Sequence, residues 1–149
     1  LRQRKALRRT AVGLTAGFLA LSAVGIALNH PYECAYYNVL IPRDAAETME
    51  MDTWNVCPTG AYRQLLSQTD GHVTIGCYFN DLIPAAYKLP ADLRARLTVT
   101  HEDDEPYLYY GATYAWVYHA VPPAGYRELF SIKSYGNTVG TVYERVEKP

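Results

Sequence analysis

The residues able to do chemistry are few, and their spacing limits what they can do. Three cysteines, Cys34, Cys57 and Cys77, all follow a basic and apolar N-terminal stretch. None of their spacings matches a zinc, iron–sulfur or haem-attachment pattern. One pair and one remaining thiol is the simple count in a compartment where disulfides persist. The expected pair is Cys57 with Cys77, which flank a predicted helix and open a predicted sheet; Cys34 with Cys57 is the alternative. A Cys57–Cys77 bridge would close a loop of about twenty residues and stabilise by about 3 kcal/mol on the chain-entropy view.

The four histidines, His30, His72, His101 and His119, are scattered. No two stand four apart, the spacing that places two ligands on one helix face. Cys77 and His72 are the only nucleophile and base close in sequence. Their odd separation on a single strand points them to opposite faces, so they make a poor catalytic pair. No glycine-rich phosphate loop occurs. The sequence therefore predicts no catalytic residues, no cofactor and no metal.

One dense ionisable cluster remains, the run Glu102-Asp103-Asp104-Glu105 after His101. It lacks the glycine and the alternating oxygen ligands of a helix–loop–helix calcium site. A solvated turn between strands is the expected structure, with a charged contact to a basic partner as its functional use. Tyr107 and Tyr109 follow directly and are candidates for the same contact. They belong to a set of fourteen tyrosines, a residue whose apolar ring and polar tip suit half-buried strands, interfaces and the headgroup level of a membrane.

Placement is more legible than chemistry. Ala11 to Leu28 carries eighteen residues without a charge, close to the minimum for a membrane-crossing helix. Arg2, Arg4, Lys5, Arg8 and Arg9 precede it, and the next basic residue is Arg43. The positive-inside rule then puts residues 1–10 on the cytoplasmic side as a basic arm and exports residues 29–149. Arg8 and Arg9 mark one interface; Tyr32, Tyr36 and Tyr37 mark the other. A cleavable signal peptide fits the same charges, with Gly25-Ile26-Ala27 as its cleavage site, but a retained anchor is the expectation. A lipid-anchored cysteine is disfavoured because Pro31-Tyr32-Glu33, not small residues, precedes Cys34. Gly13 and Gly17, like Ala16 and Ala20, stand four apart, which lets a second helix approach closely. The bacterial inner membrane is the expected location, with the C-terminal domain periplasmic. An arginine-rich, acid-poor start also fits a mitochondrial inner membrane with the domain in the intermembrane space.

Setting the five N-terminal basic residues aside leaves nine basic against fifteen acidic residues, a net of −6. Such a domain lacks the basic surface that nucleic acid demands.

The elements that must carry these residues read as mostly strands. Arg43 to Glu50 could make a turn or two of helix. Thr59 to Gln68 predicts a helix with Thr59 as N-cap and Asp70-Gly71 as its stop. His72 to Phe79 alternates as a strand, and so does Leu93 to Thr100. The latter is expected to pair as a hairpin with the tyrosine-rich run Tyr107 to Ala120. A second hairpin joins Arg127–Lys133 to Thr138–Val146 around Tyr135-Gly136-Asn137. The expected fold is one membrane helix plus a small α+β domain of five to six mostly antiparallel strands with one short helix.

These features predict a non-catalytic accessory subunit of a larger membrane complex, contacting other subunits and the lipid bilayer and capping the exported face. Energy-transducing complexes and envelope-spanning secretion machines both fit. The alternative is a membrane-tethered periplasmic binding module, such as an inhibitor or immunity protein, and an enzyme ranks third.

Overall fold

A computed structural model describes residues 2–30, 57–77, 83–111, 122–134 and 136–146. The chain divides into two compact units, Leu1–Glu33 and Cys34–Pro149. The run 43–50 and Tyr32, Cys34, Tyr36 and Tyr37 lie outside the described residues.

The first unit is one helix, α1, Arg2–Asn29. Its 28 residues span about 42 Å at the usual rise of 1.5 Å per residue. The basic stretch forms the first turns of this helix, because arginine, lysine, alanine and leucine are all strong helix formers and no proline interrupts them. Gln3–Leu28 is long and apolar enough to cross a membrane. Leu7, Leu14, Phe18, Leu21 and Leu28 are all exposed around it.

The second unit is built on a five-stranded mixed sheet in the order β2-β1-β3-β5-β4. Its elements run α2 (Cys57–Gln68), β1 (Val73–Cys77), α3 (Ile83–Ala86), α4 (Ala91–Arg94), β2 (Leu97–Thr100), β3 (Tyr107–Gly111), β4 (Tyr126–Ser134) and β5 (Asn137–Arg145). Two strand pairs are parallel, β1 with β2 and β1 with β3, and two are antiparallel, β3 with β5 and β4 with β5. The expected mostly antiparallel sheet with a single short helix is thus replaced, among the described residues, by an evenly mixed sheet with three short helices.

Helix α2 opens at Cys57, two residues before the expected cap. Pro58 is tolerated there because a first-turn residue has no intrahelical N–H bond to lose. Thr59 lies inside the helix, and its hydroxyl donates to the Ala85 carbonyl at 3.0 Å, tying α2 to α3. Cys57, Pro58, Ala61, Tyr62, Leu65 and Leu66 form the buried face, which packs on β3, β4 and β5. The helix stops where the Thr69 hydroxyl turns back to the Leu65 carbonyl at 2.9 Å and Gly71 takes φ +75°. Arg96 fixes the exit, donating to the carbonyls of Thr69 at 2.6 Å and Gly71 at 2.9 Å.

The strand expected from Leu93 begins only at Leu97. Pro90 starts a helical turn, and the amides of Arg94, Ala95 and Arg96 close onto the carbonyls of Pro90, Ala91 and Leu93. The expected hairpin between this region and the tyrosine-rich run does not form, because β1 lies between β2 and β3 and is parallel to both. The second hairpin is present. Ser134 pairs with Asn137 at its tip, and Gly136 supplies the positive φ of +83° that the tight turn requires. Edge strand β4 carries one extra residue, at Leu129, and the charges of Arg127, Glu128 and Lys133, features that discourage further strand addition, while the second register shift puts Val139 of β5 out of step.

Six residues, His101 to Pro106, connect β2 to β3, half of what a parallel crossover usually needs. The link is this short because the strands are offset: Thr100, the last residue of β2, is level with Gly76, while Tyr107, the first of β3, is level with Ile75. The chain therefore crosses the face of β1 opposite α2, and the Glu102 carbonyl lies where a Cβ on Gly76 would project.

Candidate functional site

Among the described residues of the sheet domain, two places gather reactive or charged groups. The first is the interior beneath α2, where Tyr62 and Tyr109 meet edge to face at 6.2 Å between ring centroids. The Tyr62 hydroxyl and the Cys77 thiol are hydrogen-bonded at 3.2 Å. Burial pushes the Cys77 thiol up to about 12, outweighing the opposing effect of that bond. Burial likewise raises Tyr62, reinforced by the neighbouring Cys77. Tyr109 lies over the bare backbone at Gly140, where a Cβ would meet its ring, and Gly111 stands directly opposite Gly140 in the β3–β5 ladder.

This cluster is a packing arrangement. Cys57 and Cys77 are both buried and carry thiols, not the expected bridge; Cys77 is directed to Tyr62 instead. The alternative involving Cys34 lies outside the described residues. A thiol held this far from ionisation is a poor nucleophile. Tyr109 is 1% exposed, so it cannot contact a partner; it shares a face of β3 with half-buried Tyr107 but lies further into the sheet, against Tyr62 of α2.

The second place is the acidic crossover at the end of the sheet. Glu102, Asp103 and Asp104 are exposed, while Glu105 is half-buried and accepts a hydrogen bond from the Thr100 hydroxyl at 3.0 Å. The same hydroxyl accepts from the Glu102 amide at 3.3 Å. From the far side of the sheet the Tyr126 hydroxyl is shared between the carbonyls of Glu105 at 2.7 Å and Asp103 at 3.2 Å. Arg145 completes the brace. Its amide donates to the Pro106 carbonyl at 2.9 Å, and its Nη2 donates to the Tyr126 hydroxyl at 3.1 Å. The guanidinium also sits over the Tyr126 ring, 5.5 Å from its centroid. His101 Nδ1 donates to the Cys77 carbonyl at 3.4 Å.

The arrangement holds three solvent-facing carboxylates on a backbone fixed at both ends, which suits electrostatic contact with a cationic surface. It differs from the expected hairpin turn by spanning β1. Tyr126 and Arg145, which carry the brace, have no local sequence signal and come from strands twenty and more residues away. Gly76 did have one, since a glycine within an alternating strand marks a close approach of backbone.

Among the described residues, the remaining polar groups are engaged in separate hydrogen bonds. His72 Nε2 is hydrogen-bonded to the Thr98 hydroxyl at 2.8 Å. The Ser131 hydroxyl donates to Glu128 at 2.6 Å and is hydrogen-bonded to Thr141 at 3.1 Å. Among the described residues no three histidine, cysteine or acidic side chains converge as a metal site.

In α1, Gly13, Ala16, Gly17 and Ala20 are all exposed, and a Cβ at Gly13 or Gly17 would meet nothing within 4 Å. Arg8 and Arg9 lie on the same helix, two turns N-terminal to Ala16. No family model matches the sequence, and no curated protein or solved structure matches it either.

Proposed function

We propose that the chain is a non-catalytic accessory subunit of a membrane protein complex, inserted through α1 with its N-terminus cytoplasmic and its sheet domain on the exported, periplasmic face. The observation that carries this reading is α1 itself. Its large apolar side chains are exposed around most of its circumference, an arrangement that water penalises and that lipid or neighbouring helices accommodate. The charge asymmetry across α1 supports the direction, and the small residues at Gly13, Ala16, Gly17 and Ala20 support helix packing.

A second reading is supported by the acidic crossover. Three carboxylates on a braced backbone would steer a basic partner onto a tethered binding module of the inhibitor or immunity type. One experiment separates the two. The full chain, tagged at its C-terminus, is purified in mild detergent beside a chain whose residues 1–29 are replaced by an unrelated membrane span. The accessory-subunit reading expects the native chain alone to migrate within a larger assembly. Retention of a single tight partner by the anchor-swapped chain would favour the binding module. Migration of the native chain as an isolated protomer would defeat the accessory-subunit reading.

A further inference from the structure

Lys5, Arg8, Arg9 and Val12 line one open pocket on the surface of α1. Their separations of three, four and seven residues put them on a single helix face. No acidic residue precedes Glu33, so no carboxylate within α1 neutralises these three cations. The same face continues into the apolar part of the helix. From Lys5 and Arg9 it runs through Ala16, Ala20, Ala23 and Ala27, at steps of four, seven, four, three and four. All four alanines are exposed. The cationic face thus continues into a strip of exposed alanine methyl groups, while Leu14, Phe18 and Leu21 project elsewhere on the helix.

We propose that this face binds one anionic phospholipid, its phosphate held by Lys5, Arg8 and Arg9 and an acyl chain lying along the alanines. The proposal rests on the reading of α1 as a membrane helix. Charge complementarity selects the occupant. Guanidinium and ammonium donors match phosphate oxygens, and basic residues flanking a span lie at headgroup depth, where anionic lipid is concentrated. Helical continuity from Arg2 holds the three cations at fixed spacing. A site with an apolar continuation below it fits a lipid better than a soluble phosphate, which would use the cations alone.

The test uses the full chain reconstituted in mixed phosphatidylcholine and phosphatidylglycerol vesicles, extracted in mild detergent, with the retained lipid counted by native mass spectrometry. Phosphatidylglycerol is expected to be enriched about tenfold over its share of the vesicle, the effect of one to two favourably placed basic residues. Lys5→Gln/Arg8→Gln/Arg9→Gln should abolish the enrichment. Arg4→Gln, which removes a charge that does not line the pocket, should preserve it. Equal loss in both variants would overturn the proposal in favour of bulk surface attraction. Displacement of the lipid by millimolar inorganic phosphate would overturn it in favour of a soluble-anion site. Alkaline carbonate washing of the vesicles keeps the two ideas apart. A chain that stays in the membrane without lipid preference defeats only the lipid site, whereas a chain that washes off defeats the membrane helix as well.

Discussion

The Tyr62 hydroxyl and the Cys77 thiol meet 3.2 Å apart beneath α2, each a polar partner of the other in the buried interior. Two weakly polar groups that satisfy one another can be buried at small net cost, whereas either left alone would suffer desolvation without compensation. The contact links α2 to β1 and occupies the thiol that sequence reasoning assigns to a disulfide.

Alkaline pH should unfold the domain through this pair. Burial raises the Cys77 pKa from 9.0 to about 12 and raises Tyr62 as well. An acid with a raised folded-state pKa contributes stability that is complete below its unfolded value. Its contribution is therefore full below pH 9 and lost as pH climbs through the folded value. Chemical denaturation across pH 7 to about 12 should show that decline, and Cys77→Ala should flatten it. Tyr62→Phe should cost about 1 kcal/mol at neutral pH. Peptide mapping after alkylation at neutral pH should find Cys77 unmodified until denaturant is added.

Two glycines should resist substitution for different reasons. Gly140→Ala sets a methyl group against the Tyr109 ring and should cost roughly 1–3 kcal/mol, the range for overpacking a core. Tyr109→Leu in the same chain should recover part of that loss. Gly76→Ala collides with the backbone carbonyl of Glu102, which no rotamer change relieves, so its cost should exceed that of Gly140→Ala. Denaturant midpoints at constant slope would measure both.

Removing the brace should loosen the acidic crossover without unfolding the sheet. Tyr126→Phe deletes the hydroxyl that holds the carbonyls of Asp103 and Glu105 and should cost about 1 kcal/mol. Arg145→Gln removes the charge over the ring. Amide exchange at residues 102–105 should accelerate in both variants, while the β4–β5 ladder keeps its protection. Uniform acceleration across the sheet would contradict this assignment.

On the proposed reading of α1 as a membrane helix, a charge in its middle should expel it from the bilayer. Phe18→Arg is expected to cost about 2.5–3.5 kcal/mol of insertion free energy. Carbonate extraction should move a substantial share of the variant to the soluble fraction, whereas Phe18→Leu should remain in the membrane.

Elements whose signal is local were legible in the sequence. The α2 helix, the β1 alternation and the β4–β5 hairpin each rest on residues close to one another, such as Gly136 at its tight turn. Strand pairing was not legible. The segments of β2 and β3 are consecutive and separated by a turn-like run, yet nothing local reports that β1 inserts between them or that Gly76 admits the crossing chain. Leu93 alternates convincingly with its neighbours, but Pro90 and the helix-forming residues after it prevail until Leu97. The tyrosines carried the right composition and the wrong assignment at Tyr109, because Tyr107 and Tyr109 share one face of β3 and only tertiary packing puts the second of them under α2. The acidic run could be read as charge, whereas its support by Tyr126 and Arg145 depends on tertiary contact.

The placement of β1 also sets a timetable for the growing chain. Val73–Cys77 is made before both of its strand neighbours, and β2 and β3 follow only after the two short helices and the crossover have been synthesised. For that interval a nascent apolar strand has two bare ladders of amides and carbonyls, and other chains could pair with either one. The β4–β5 hairpin carries no such delay, since its halves are joined by two residues and close as soon as they emerge. Coexpressed holding chaperones should therefore raise the yield of intact protein by protecting the segment from Val73 to Tyr107, and should do little for a chain already complete.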